Sequence, residues 1–414
     1  MNIFIKELQT SLMSSISKRD LFLSHVGQTS TFPLALEIAR AEGIFIYDND
    51  GKRYYDLNSG ISVSSLGHRH PAVIDAIKDQ LDKYMHTMVY GEHIQSPQVA
   101  FAELLSRHLD PKLNAVYFLN SGSEVIEAAM KLSRKATGRY EIIACRNAYH
   151  GSTIGADSLR SDVDYLAPFM PLVPGIRHIN YNNIEDLKQI NCRTAAVILE
   201  PIQAEGGVIL PESEYLNQVR KKCDDVGALM VLDEIQTGFG RTGHLFAHQK
   251  YNVLPDIMCI GKAMGGGMPI GGLVADQNLL GQLAKYPDLG HITTFGGHPV
   301  ICAAAHASLK VLTDGDIIDE VIGKEKFIHQ KLVHPIIKVV RSSGMMMAVE
   351  LTKRKYLKHV VNYALEHGAL IDYFIFNDRS FRLAPPLIYK IKELDKALDI
   401  VLAAMDYAEK KYNN

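Results

Sequence analysis

Three short segments bring together residue types that could carry covalent chemistry, and each follows directly on an apolar run. Lys262 comes after the run 257–260 and is enclosed by apolar residues and glycines through Gly272. An amine so surrounded is desolvated; its pKa falls and it becomes a competent nucleophile toward a carbonyl. Asp233 closes the run 229–232. A carboxylate there could cap a neighbouring loop, or it could be the fixed negative partner of a buried cationic ring. The run 115–119 leads into Asn120-Ser121-Gly122-Ser123-Glu124 and a helical pattern. Glycine and hydroxyls at a helix start offer free N–H groups at the positive dipole end, a seat for one phosphate. The same residues also read as an ordinary N-cap with nothing bound. Tyr149, in Tyr149-His150-Gly151 after 142–144, presents an aromatic face for stacking or for packing.

Other motifs fail on context. Gly238-Phe239-Gly240-Arg241-Thr242-Gly243 has the GxGxxG form, but five residues separate it from its strand and no helical pattern opens there, so it lacks the setting of a dinucleotide loop. A P-loop needs Ser or Thr after its lysine, and Ala263 follows Lys262. His68-Arg69-His70 has no third placed ligand, so no metal is expected.

Elements that position these residues can be read from periodicity. The runs 44–47 and 53–57 flank Asp48-Asn49-Asp50-Gly51, which predicts a hairpin. Helical spacing follows over 71–84 and 96–109, each with Pro in its first turn. From residue 114, short apolar runs at 115–119, 142–144, 195–199, 229–232 and 257–260 alternate with helical patterns at 123–137 and 212–226, and 299–312 closes the series. Continuous apolar strands between helices predict an α/β fold with a mainly parallel sheet covered on both faces. Strands near 339–340 and 345–351 and a helix over 393–412 suggest a smaller α+β domain. We expect an N-terminal segment 1–60 that contributes to the small domain, a large domain 61–313 and a C-terminal small domain 314–414. In such sheets ligands gather at the carboxyl ends of the strands, where Lys262, Asp233 and the Ser-Gly-Ser turn lie.

With 414 residues, 47% of them hydrophobic, the chain can bury a large core. Its 44 basic and 46 acidic residues nearly cancel, without the basic footprint of a nucleic-acid binder. Five dispersed cysteines, Cys145, Cys192, Cys223, Cys259 and Cys302, fit neither a disulfide framework nor a CxxC pair. Lys6 and Glu7 interrupt the apolar start, and no run nears the roughly 18 residues of a membrane span. A cytoplasmic protein that binds neither nucleic acid nor membrane is expected.

Phosphate cradle, aromatic plate, strand-end Asp and desolvated Lys together are the parts that hold pyridoxal phosphate. The chain resembles the class III, or ω-, aminotransferases of fold type I, in the acetylornithine/ornithine branch. The likeness rests on eight motifs in order: GHRHP at 67–71, NSGSE at 120–124, YHG at 149–151, EPIQAEGG at 200–207, DEIQTGFGRTG at 233–243, GKAMGGGMPIG at 261–271, TFGGHP at 294–299 and RLAPPL at 382–387.

The resemblance implies a sheet of the seven-stranded type and assigns roles position by position. Lys262 resembles the lysine that forms the Schiff base with pyridoxal 5′-phosphate and then moves the substrate proton. Asp233 resembles the partner of the pyridine nitrogen, Tyr149 the stacking ring and Gln236 the neighbour of the phenolic oxygen. Gly122 and Ser123 resemble phosphate ligands, and Thr294 resembles the phosphate ligand donated by a neighbouring subunit, which implies a homodimer. Arg382 resembles the arginine that grips a substrate carboxylate, and Glu205 the gate that pairs with it. The implied reaction transfers an amino group from an ω-amino acid or amine, such as acetylornithine, ornithine or 4-aminobutyrate, to a 2-oxo acid, with 2-oxoglutarate the expected acceptor. An aminomutase or racemase of the same cofactor would use the same Lys262 and Asp233, and a non-catalytic nucleotide-binding α/β module is the second alternative. Ser152 stands where acetylornithine-type enzymes usually carry Arg, and His298 where Asn is usual. The identity of the amino donor is therefore open.

Overall fold

The computed structural model describes residues 17–413; Lys6, Glu7 and the first sixteen residues of the expected 1–60 segment lie outside the described residues. Strands β1 (Ile38–Glu42), β2 (Phe45–Asp48) and β3 (Arg53–Asp56) form an antiparallel meander. The expected hairpin joins β2 to β3. Asp48 accepts the N–H groups of Asp50 and Lys52 at 3.1 and 2.9 Å, which fixes the turn.

The central sheet comprises β4 (Ala115–Leu119), β5 (Glu141–Cys145), β6 (Ile176–Ile179), β7 (Thr194–Leu199), β8 (Leu229–Asp233), β9 (Ile257–Gly261) and β10 (Gly271–Ala275), in the order β4-β10-β9-β8-β7-β5-β6. Only β10 runs antiparallel to its neighbours. The strands read as unbroken apolar runs because both faces are covered: Ala196, Ile198 and Val231 pack on one side, and Val197, Leu199, Met230 and Leu232 on the other. The first face receives Val125, Ala128, Ala129 and Leu132 of the helix Gly122–Thr137, none with any exposed surface. The second receives Tyr215, Leu216, Val219 and Cys223 of the helix Tyr215–Val226.

Periodicity did not reveal β6 or β10. Residues 271–275 open with Gly271-Gly272 and follow a run of glycines, so they read as loop. Packing explains those glycines. A Cβ on Gly271 would stand 2.5 Å from Val125 Cγ2 and 2.6 Å from the Ser121 carbonyl oxygen. Only a hydrogen fits between β10 and the start of the helix. The helix expected from 212 begins at Tyr215, because Glu214 adopts a left-handed φ of 65° that the helix cannot include.

Strands β11 (Ile337–Ser343), β12 (Met346–Leu351), β13 (Ala369–Leu370), β14 (Asp372–Tyr373) and β15 (Ser380–Leu383) follow. β11, β12, β15 and β14 form an antiparallel sheet in that order, and β13 instead pairs parallel with β3. The helix Arg354–Glu366 packs on the long helix Ile391–Asn413 beside it. Arg241, inside the GxGxxG-like segment, is fully buried. It donates to Met345 O at 3.1 Å and Ser65 Oγ at 2.9 Å, and so ties the central sheet to the C-terminal one. Among the described residues no helix is long and apolar enough to cross a membrane.

Candidate active site

A cavity of about 210 Å³ opens at the carboxyl ends of β8 and β9, lined in part by Gly122, Ser123, Tyr149, Glu205, Asp233, Gln236 and Lys262. Residues from five separate stretches of a chain of 414 thus converge because the parallel strands all end on one side. Seven of the nine sequence-predicted site residues line it, and Arg382 reaches it through Glu205. Thr294 does not; it lies on an exposed loop.

Lys262 follows directly on β9 with a left-handed φ of 47°, a conformation that costs a non-glycine residue strain and turns its side chain away from the strand direction. The residue keeps some accessible surface only because it faces the cavity; the amine itself lies deep in the protein. Burial pulls its pKa from 10.5 to about 8; Glu205 pulls it up and Arg382 adds to the lowering. A minor but real fraction is then the free amine near neutral pH.

Asp233, at the end of β8, is held by two directed bonds. His150 Nδ1 lies 2.7 Å from its Oδ2, and the Ile235 N–H donates to its Oδ1 at 3.0 Å. Burial works against a charged His150, yet the hydrogen bond and negative charge of Asp233, aided by Glu200, prevail and raise its pKa. Glu200, directly after β7, accepts the N–H groups of Tyr149 at 3.2 Å and Ala204 at 2.8 Å. Burial foremost pushes its pKa to about 7; His150 opposes the rise and Asp233 reinforces it. Neither His150 nor Glu200 was singled out from the sequence. Glu200 could have been found by the rule that picked Asp233, a carboxylate directly after an apolar run; His150 carried no such signal, since its partner is 83 positions away.

At the helix Gly122–Thr137 both readings of the start coexist. Ser121 is the N-cap and accepts the Glu124 N–H at 3.3 Å. The first-turn N–H groups of Gly122 and Ser123 have no intrahelical acceptor, and both residues face the cavity. The loop 149–152 closes on this helix end: the Ser152 N–H donates to Ser123 Oγ at 3.2 Å. A Cβ on Gly151, whose φ is 129°, would meet Ser123 Oγ at 2.1 Å.

On the opposite side Arg382 Nη2 donates to Glu205 Oε1 at 2.5 Å, and the Ile375 N–H holds Glu205 Oε2 at 3.1 Å. Arg382 Nε and Nη1 are buried without a partner. Buried guanidinium N–H groups are seldom left unmatched, so these mark a place for an acceptor. His68, from the weak His-x-His signal, pairs with Asp56 at 2.8 Å.

The donor set fits pyridoxal phosphate: a helix start for a phosphate, a carboxylate for a ring nitrogen, and a lowered amine for an aldehyde. Comparison with known proteins agrees. The family model described as Aminotransferase class-III matches residues 26–405. The chain is 38% identical over 374 residues to the acetylornithine aminotransferase of Clostridium acetobutylicum, covering 87% of this chain and 94% of that one. With the acetylornithine aminotransferase of Methanosarcina acetivorans it shares 39% over 372 residues, 88% and 91% of the two chains. Among solved structures, the ornithine aminotransferase of Toxoplasma gondii superposes with a TM-score of 0.87 at 29% identity over 99% of both chains.

Proposed function

We propose that this chain, which belongs to the class III aminotransferases, takes its amino group from an ω-amino acid or amine of the acetylornithine, ornithine or 4-aminobutyrate kind and gives it to a 2-oxo acid, 2-oxoglutarate above all. It is an aminotransferase and its cofactor is pyridoxal 5′-phosphate. The observation that carries the reading is Lys262, an amine held at about 8 in the same small cavity as the fixed carboxylate of Asp233.

Bound pyridoxal phosphate supplies an aldehyde and an electron-withdrawing ring. The protein does the rest. Lys262 Nζ would hold the aldehyde carbon, and, once a substrate amine takes its place, the freed Nζ would take the proton from the amine-bearing substrate carbon and deliver it to the former aldehyde carbon. Asp233, oriented by His150, would set a carboxylate against the ring nitrogen. Tyr149 would cover the ring, Gln236 would sit by its oxygen, and the Gly122 and Ser123 N–H groups would hold the phosphate. Arg382 grips a carboxylate with its fork, and Glu205 occupies that fork when the entering group is an ω-ammonium.

The homodimer is part of the proposal. Exposed Leu289 and Ile292 line a second cavity of about 970 Å³ beside the Thr294 loop, and exposed Phe295, next to Thr294, lies 5.1 Å from the ring of His86, which stands between exposed Met85 and Met88 in the chain. A second copy covering this face would bury them and carry Thr294 toward the neighbouring phosphate. The three-part division 1–60, 61–313, 314–414 is likewise proposed, supported by the pairing of β13 with β3. The dispersed thiols suit a reducing cytoplasm.

The test adds candidate donors to purified holoenzyme, follows the visible absorption of the cofactor, and assays glutamate formed from 2-oxoglutarate, with Ser152→Arg alongside. A spectral change with an ω-amine donor is expected. No exchange with any donor overturns the reading.

A further inference from the structure

Arg160 is the second buried arginine with an unmatched edge near the cavity, and no role falls to it in the reaction described above. It is 7% exposed. Its Nη1 lies 3.1 Å from Asp157 Oδ1, while Nε and Nη2 are buried without any partner. These two nitrogens share one side of the guanidinium, the side that takes a carboxylate through two parallel bonds. Three rings surround the group, Tyr165 at 4.7 Å, Phe376 at 5.4 Å and Tyr149 at 5.8 Å. Such a lining lowers the local dielectric and strengthens an arriving anion's attraction.

Its position relates it to Arg382. Tyr149 lines the cavity that holds Lys262. Phe374 lies under Arg382 at 4.6 Å, and Phe376, two residues on in the same loop, lies against Arg160. The same loop is pinned to Glu205, whose backbone carbonyl accepts the Phe376 N–H at 3.1 Å. One short loop therefore carries a ring for each arginine: Arg160 keeps its Nε–Nη2 edge free, and Arg382, its Nη2 taken by Glu205, keeps Nε and Nη1 free. Ser152, hydrogen-bonded to the Tyr149 hydroxyl at 3.1 Å, brings no charge to this side.

We propose that Arg160 binds the second carboxylate of a dicarboxylic substrate whose first carboxylate is held by Arg382, making it a specificity-determining residue. This rests on the aminotransferase reading above. Both free nitrogens are buried, so a neighbouring side chain must move to admit the carboxylate, and Tyr165, half-exposed against the guanidinium at 4.7 Å, is the ring with room to do so.

The test compares 2-oxoglutarate with 2-oxopentanoate, an acceptor of equal chain length that lacks the second carboxylate, and measures calorimetric binding of glutarate and valerate to the holoenzyme. In the unaltered protein 2-oxoglutarate is preferred by kcat/KM, and glutarate binds more tightly than valerate. Arg160→Gln lowers both preferences at least tenfold, chiefly through KM. Arg160→Lys, which keeps the charge beside Asp157 but loses the fork, gives an intermediate loss and guards against a folding defect in the first variant. An unchanged ratio between the two acceptors, whether or not both rates fall, overturns the proposal, since it means Arg160 only steadies Tyr149. If neither acceptor is aminated by the unaltered enzyme, the aminotransferase reading fails instead, and the glutarate preference still reports on Arg160.

Discussion

The floor of the cavity and its rim treat charge in opposite ways. At the floor, Asp233 has a partner on each oxygen, one of them a histidine with no exposed side-chain surface whose other ring nitrogen, Nε2, is buried without a partner. At the rim, Arg382 is held by one carboxylate and keeps two nitrogens idle. The floor is organised before any ligand arrives, which suits groups that must stabilise charge during reaction. In the proposed role the rim serves exchange, because a substrate carboxylate would replace Glu205 and use donors Glu205 leaves free. Lys262 sits between the two, its amine tuned by Glu205 and Arg382 from the rim and by Asp233 from the floor.

Substitutions at these places separate the two behaviours. Lys262→Ala should have the largest effect, a loss of kcat on the order of 10⁴-fold with no borohydride-trapped adduct by mass spectrometry. Residual turnover near the unaltered rate would remove the lysine from the reaction. Asp233→Asn should cost on the order of 10³-fold in kcat with little change in KM, since a preorganised charge acts on the reaction rather than on binding. Stopped-flow measurement of the first half-reaction reads this directly, and a loss confined to KM would place Asp233 with the rim. Glu205→Gln should leave kcat for a carboxylate-bearing acceptor within a few-fold. It should shift preference by about tenfold away from donors that enter with an ω-ammonium, because Arg382 is then unpaired and repels them. Equal losses with every substrate would show that the gate is part of the floor.

The smallest effect concerns pH. Glu200 has a folded pKa raised to about 7, and a carboxyl group raised by burial binds its proton more tightly folded than unfolded. Its contribution to stability is therefore fully present below the unfolded value near 4.5 and is lost as pH rises through about 7. His150, also raised, acts in the same sense. Glu200→Gln should flatten the decline of the thermal midpoint between pH 5 and pH 8 by a few degrees, as read by calorimetry of the apoprotein. A steeper decline in the variant contradicts the assigned burial effect.

How well each part could be read from the sequence follows the same division. Asp233, Lys262 and the 121–123 turn were legible because each stands directly after an unbroken apolar strand, where parallel sheets place their chemistry. The hairpin at 48–51 was legible from its turn residues. The His150–Asp233 bond was not, since no local pattern records a contact made across the sheet. Glu205 and Arg382 were found only through the motif likeness; their contact depends on the loop 374–377, which has no regular period. Arg160 gave no signal at all, because an arginine nine residues past the Tyr149-His150-Gly151 motif reads as surface until the rings around it are seen. β10 was hidden by the glycines that make it fit.

That fit has a cost for the chain's freedom to vary. Gly271 touches no reacting group, yet a single added methyl would push the first turn of the neighbouring helix outward and tilt the amides intended for the phosphate. The strand thus works as a feeler gauge set between sheet and helix, and Gly271→Ala should show itself as poor retention of vitamin B6 in a protein whose lysine and aspartate are untouched.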